Sequence, residues 1–178
     1  TGYDFGAGRF GGYARYACVP ADWVVRIPDT LSTFDAMAIG TAGYTAALSL
    51  LALQRYGVTP ASGPVVVTGA TGGVGCLSID LLAGAGYEVI ASTGKPDRHE
   101  WLRALGASTI VSREAVTLGG DGEPRPLLPA RFAGAVDNVG GATLDALIRS
   151  MAIGGAVALC GLVGGATFRG TVLPFILR

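Results

Sequence analysis

The chain carries one histidine, one lysine and three cysteines in 178 residues, and each scarcity removes a class of chemistry. His99 is the lone imidazole, and Cys18, Cys76 and Cys160 lie far apart without CxxC spacing, so nitrogen and sulfur ligands for zinc cannot be gathered from this stretch. Three scattered cysteines do not make a disulfide framework either, and they are read as inert core thiols. Charge is sparse as well. Only 15% of residues are charged, and thirteen basic side chains balance thirteen acidic ones, which leaves no broad positive field for nucleic acid or an anionic membrane. No apolar run approaches the ~20 residues of a membrane span. The opening Thr1-Gly2-Tyr3-Asp4 lacks the charged and apolar regions of a signal peptide. A cytoplasmic location is expected, with no nucleic-acid or membrane partner.

What is abundant is apolar surface and glycine. Half of the residues are hydrophobic and 29 are glycine, a composition that predicts an α/β fold with a buried parallel sheet and many tight turns. Residues 64 to 75, Pro-Val-Val-Val-Thr-Gly-Ala-Thr-Gly-Gly-Val-Gly, concentrate both. The β-branched run Val65 to Val67 suits a strand buried on both faces, and Cys76 to Ala83 places apolar residues at helical spacing. Glycines between them allow a sharp turn and close approach to a ligand, and the first N–H groups of the helix point at any anion there. A dinucleotide pyrophosphate is the expected occupant. Two registers are open: Gly69, Gly72 and Gly75 at even spacing, or the Thr68-Gly69-xxx-Gly73-x-Gly75 spacing of short-chain dehydrogenases. The second would require a catalytic tyrosine four positions before a lysine; the only lysine, Lys95, is preceded there by Ala91, so this stretch is not an active enzyme of that kind.

Along the chain, residues 13–19 and 23–27 read as short strands without a sheet to join, part of a structure different from the remainder. Ser32-Thr33-Phe34-Asp35 matches a capping box with Asp in the Glu position and starts a helix through Ile39. Gly40 to Gly43 breaks it, and a longer helix is predicted from Tyr44 to Tyr56, closed by Gly57. From residue 64 strands and helices alternate: strand 64–68, helix 73–85, strand 87–92, helix 96–105 and strand 109–111. A punctuated loop at 112–131 is followed by strand 133–136, helix 143–151 and strand 156–160. These are βαβ units of a Rossmann doubly wound parallel sheet, about five of its six strands.

Cofactor choice is expected at the end of the second strand. An NAD site normally places Asp or Glu there, whereas this chain has Ala91-Ser92-Thr93-Gly94-Lys95. Ser92, Lys95 and Arg98 can receive the 2′-phosphate of NADPH through charge-assisted bonds; the alternative is an ordinary solvated helix start, with Pro96 at its first position. His99 follows that end of the site and is read as a surface residue. Asn138 sits at the carboxyl edge of the fourth strand, where it either bonds the cofactor or caps the next helix. The turn Cys160 to Gly165 ends the fifth strand at the same edge, and its backbone groups either hold the nicotinamide carboxamide or form a plain turn.

Several blocks in order resemble the zinc-independent medium-chain dehydrogenases: Gly-Gly-Tyr-Ala at 11–14, Ala-Asp-Trp at 21–23, Gly-Thr-Ala-Gly-Tyr-Thr-Ala at 40–46, the glycine turn at 68–75 and Ala-Ser-Thr-Gly-Lys at 91–95. Asp-Asn-Val-Gly-Gly at 137–141, Cys-Gly-Leu-Val-Gly-Gly at 160–165 and Pro-Phe-Ile-Leu-Arg at 174–178 are similar to their acrylyl-CoA reductase and quinone oxidoreductase branch. The resemblance implies an NADP(H)-binding Rossmann domain at 41–178, truncated before its last strand, and a remnant of a GroES-like catalytic domain with a linker helix at 1–40. It further implies hydride transfer from NADPH to an activated C=C bond, of an acyl-CoA or alternatively of a quinone or enone, and association of like subunits. By the same resemblance Thr41 and Thr45 lie near the nicotinamide, Gly72, Gly73 and Val74 at the pyrophosphate, Ser92, Lys95 and Arg98 at the 2′-phosphate, and Gly161 and Leu162 at the carboxamide. No catalytic residue or metal ligand is assigned, and the stretch alone is expected to bind NADPH without turnover.

Overall fold

The structure, a computed structural model, describes residues 2–117 and 125–178. Among the described residues five strands form one parallel sheet in the order β3-β2-β1-β4-β5, with β1 Val65–Val67, β2 Val89–Ser92, β3 Thr109–Val111, β4 Phe132–Asp137 and β5 Met151–Leu159. Helices α1 (Thr33–Arg55), α2 (Gly73–Gly84), α3 (His99–Ala104), α4 (Arg113–Thr117), α5 (Gly141–Ser150) and α6 (Leu173–Leu177) accompany it. This is the expected Rossmann order. The strand sequence reverses direction at β1, between β2 and β4, and that switch point is where such sheets bind ligands.

β1 shows why the sheet sits where it does. Val65, Val66 and Val67 are all 0% exposed. Alternation sends Val65 and Val67 into a core with Leu53, Ile79, Leu82, Val89 and Leu102, and Val66 into a second core with Val116, Phe132, Leu147 and Met151. Each buried valine contributes roughly 1.5–3 kcal/mol. A polar residue at any of the three would expose one layer to an unmatched group.

α1 begins as the sequence indicates: Ser32 Oγ accepts the Asp35 N–H at 3.0 Å and donates to Asp35 Oδ2 at 2.5 Å. The break is narrower than expected. Gly40 alone leaves helical geometry, at φ 45° and ψ −144°, and helix resumes immediately instead of at Tyr44. α1 is thereby long and apolar enough to cross a membrane by length and composition, which amends the expectation that no such run exists. Its apolar character is used in part against α2, where Gly43 packs on Leu77, while Phe34, Met37, Tyr44, Leu48 and Leu51 remain exposed.

The strands expected at 13–19 and 23–27 do not form. Residues 21–23 make a single 3₁₀ turn, and Phe10, Tyr13 and Tyr16 are exposed. A strand needs a neighbour to satisfy its backbone, and nothing in the described residues supplies one. β5 is longer than expected, starting at Met151 straight from α5, with a register shift against β4 between Phe132 and Gly134. The predicted loop at 112–131 contains α4, and its glycines at 119, 120 and 122 with Pro124 lie outside the described residues.

Candidate functional site

The carboxyl ends of β1, β2, β4 and β5 open into one cleft of about 560 Å³. Its floor is the glycine turn. Gly69 adopts φ +58°, and a Cβ on Gly75 would lie 2.3 Å from Gly69 O, so glycine at 75 is what lets α2 begin so close to the turn. Gly72 N–H donates to Gly69 O at 2.9 Å, and Cys76 N–H closes the first helical bond onto Gly72 O at 2.9 Å. The N–H groups of Gly73, Val74 and Gly75 therefore have no acceptor within the helix, and Gly72 brings no side chain to cap them. Three unengaged donors at the positive end of a 12-residue helix form an anion seat. Gly72, Gly73 and Val74 all line it.

At the β2 end the cleft is lined by Ser92, Lys95 and Arg113, and among the described residues by no carboxylate. Ser92 is buried, its hydroxyl directed to Ser112 O over a long 3.4 Å. Lys95 is placed by its own N–H donating to Thr93 Oγ1 at 3.1 Å. Arg98 does not join them. Pro96–Arg98 forms a 3₁₀ turn that carries Arg98 outward, where its Nε lies 3.3 Å from Asp97 Oδ2 with the side chain 58% exposed. The second cation is instead Arg113, the first residue of α4, which lies across Gly94 so closely that a Cβ there would meet Arg113 Nε at 3.0 Å. Sequence reasoning sought this cation only beyond β2; the rule that ligands meet the carboxyl ends of neighbouring strands also points to Ser112 and Arg113, the two residues after β3. His99 opens α3 and does not line the cleft.

The opposite end is built from the turns after β4 and β5. Gly161 approaches so closely that a Cβ would lie 2.2 Å from Asn138 O, and its N–H donates to Asp137 O at 3.2 Å beside that of Cys160 at 3.0 Å. Gly164 N–H donates to Val139 O and Gly165 N–H to Leu162 O, so most of the backbone donors expected to meet a carboxamide are already engaged between the turns. Leu162 is 66% exposed and faces a separate apolar hollow with Phe168. Asn138 lines the cleft with its amide committed: Nδ2 donates to Thr68 O at 2.8 Å, and Oδ1 accepts the Cys160 thiol at 3.3 Å. Thr41 and Thr45 lie on α1 outside the lining, the Thr45 hydroxyl donating to Thr41 O at 2.9 Å; the link to the cleft is Ala42, against which Gly73 packs. Thr71, Val139, Thr143 and Val163 complete walls that the sequence reading did not name.

The cysteines are not core thiols. Cys18 and Cys160 are exposed and Cys76 is half-buried, because each sits at a turn or helix start rather than inside a strand or packed face. Partial desolvation pushes the Cys160 thiol above its ordinary value, a hydrogen bond with Ser49 lowers it, and the Asp137 charge raises it again.

A glycine turn at the switch point of a 3-2-1-4-5 sheet, with an open helix N-terminus and two cations at one end, defines a dinucleotide-binding Rossmann domain. Residues 73–177 match the family model described as zinc-binding dehydrogenase, and the chain belongs to that family, within the medium-chain dehydrogenases and reductases. The acrylyl-CoA reductase AcuI of Ruegeria pomeroyi is 48% identical over all 178 residues, which cover 53% of its length. The crystal structure of the yhdH oxidoreductase from Salmonella enterica in complex with NADP superposes with a TM-score of 0.92 at 46% identity, covering 100% of this chain and 53% of that one. The Bacillus subtilis protein yhfP, crystallised with NAD bound, gives 0.94 at 48% identity, with 100% and 53% covered. The chain thus spans about half the length of the relatives it matches. Although the family's description includes zinc, the described residues hold no group of three His, Cys, Asp or Glu side chains able to ligate a metal, and no step is assigned to one.

Proposed function

We propose that this chain is the NADPH-binding part of a cytoplasmic reductase that delivers hydride to the C=C bond of an α,β-unsaturated acyl-CoA such as acrylyl-CoA. The observation that carries the cofactor reading is the asymmetric cleft: unengaged N–H groups of Gly73 to Gly75 at its floor, with Lys95 and Arg113 beyond and no carboxylate there among the described residues. Those groups bind and orient. The α2 N-terminus takes the pyrophosphate, and Ser92, Lys95 and Arg113 take the 2′-phosphate through charge-assisted bonds. When bound, the reduced nicotinamide supplies the hydride that such a reduction consumes. The α-carbon then takes a proton, for which no donor is assigned among the described residues. The thioester acceptor is supported by similarity to AcuI.

In the same reading residues 1–40 belong to the catalytic domain and 41–178 to the cofactor domain, and like subunits associate. The test is loss of NADPH absorbance by the whole reductase of which this chain is the cofactor-binding part, in the presence of acrylyl-CoA, an enone or a naphthoquinone. Acrylyl-CoA is expected to be consumed most efficiently. Faster consumption of the naphthoquinone would replace the thioester as substrate, and binding of NADPH without turnover of any of the three would make the chain a non-catalytic cofactor module.

A further inference from the structure

We propose that Asp137 is a positioning residue for the cofactor, whose carboxylate and carbonyl lock together the three turns that line the cleft. The inference rests on the dinucleotide reading above. Asp137 ends β4 and is 0% exposed. Its Oδ1 accepts the Thr68 hydroxyl at 2.5 Å and the Val139 N–H at 3.0 Å, and its Oδ2 accepts the Gly140 N–H at 3.0 Å. Its backbone oxygen accepts the N–H groups of Cys160 and Gly161. One residue therefore holds the turn after β1 through Thr68, the turn after β4 through Val139 and Gly140, and the turn after β5 through Cys160 and Gly161. All three turns line the cleft.

The chemistry at this position is specific. Thr68 Oγ1 accepts the Asn138 N–H at 3.0 Å, which leaves its own proton to point at Asp137. Every group facing the carboxylate is then a donor, and among the described residues no cation pairs with it. Only an ionised carboxylate offers acceptors at both oxygens. An asparagine of the same shape would turn its NH₂ toward one of the donors whichever way it were oriented, breaking either the bond to Gly140 within the turn after β4 or the bonds to Thr68 and Val139, while leaving the packing intact. Small misplacements of this kind are costly where a ligand must be held at several points at once.

The two ends of the cleft provide the test. Adenosine 2′-monophosphate meets only the Ser92, Lys95 and Arg113 end, whereas NADPH spans all three turns. In calorimetric titrations of the 178-residue chain, Asp137→Asn and Thr68→Val are expected to weaken NADPH about tenfold or more. The same variants are expected to leave adenosine 2′-monophosphate within about twofold, and Thr68→Ser, which keeps the hydroxyl, is expected to restore NADPH. Equal losses for both ligands, or unchanged NADPH affinity in folded Thr68→Val, would overturn the positioning role. Should Asp137→Asn not fold, the Thr68 pair decides alone. Failure of the unsubstituted chain to bind NADPH would overturn the dinucleotide reading and this inference with it, and that result is seen before any variant is made.

Discussion

The two ends of the cleft solve opposite problems. At the α2 and Lys95–Arg113 end polar groups are left without partners among the described residues, while at the Asp137–Gly161 end nearly every polar group is engaged with another turn. Uncommitted donors and cations can receive charge from a ligand. A knitted set of turns offers shape instead, and holds it steady. The difference teaches that lining residues divide into those left uncommitted and those spent on holding the turns together, a division that residue type alone does not reveal: the Asn138 amide is committed to Thr68 and Cys160.

Substitutions that strike each end should break this comparison in order of size. Gly75→Ala forces a Cβ to 2.3 Å from Gly69 O, and Gly161→Ala one to 2.2 Å from Asn138 O. Both contacts are with backbone that cannot move aside, so thermal or denaturant unfolding should show losses of at least ~2 kcal/mol for each. A smaller but sharper effect separates the cations. Arg113→Ala should weaken NADPH about tenfold and leave NADH nearly unaltered, while Arg98→Ala, with its guanidinium turned to Asp97, should change either by less than about twofold. Calorimetry of the two variants side by side checks this; a larger loss from Arg98→Ala would return the 2′-phosphate to the residues first suggested by the sequence.

The mildest effect is in the thiol. Because Cys160 is shifted upward in the folded chain, the unfolded chain releases this proton first as pH rises. Its contribution to stability therefore falls with rising pH through the thiol range. Alkylation by iodoacetamide should be slow at neutral pH, accelerate only above the pH at which an ordinary thiol ionises, and be slowed by bound NADPH, as mass spectrometry of the modified peptide would show. Rapid modification at neutral pH would contradict the desolvated, hydrogen-bonded thiol.

Most of the fold was legible because its signals are local. The valine run, the glycine turn and the helix after it are read from adjacent residues, and the βαβ order follows from their alternation. Failures arose where a residue's environment comes from elsewhere in the chain. Tyr13 to Ile27 has β-branched and aromatic residues suited to strands, yet a strand is a pairing and no partner is present among the described residues. Arg113 stands well beyond the second strand and is carried to the cleft by the β2–α3–β3 crossover, whereas Arg98, near in sequence, is turned away by a tight 3₁₀ turn. Asp137 was passed over because its function is made of hydrogen bonds to residues about 70 positions earlier and 23 later.

The central claim is that the uncommitted end of the cleft reads a 2′-phosphate. The direct measurement is a calorimetric titration of the chain with NADPH and with NADH, repeated after Lys95→Ala and Arg113→Ala. NADPH should bind about tenfold or more tightly than NADH, with each substitution eroding the preference and leaving NADH affinity where it was. NADH binding as tightly as NADPH, or equal losses of both cofactors on removing either cation, would contradict it.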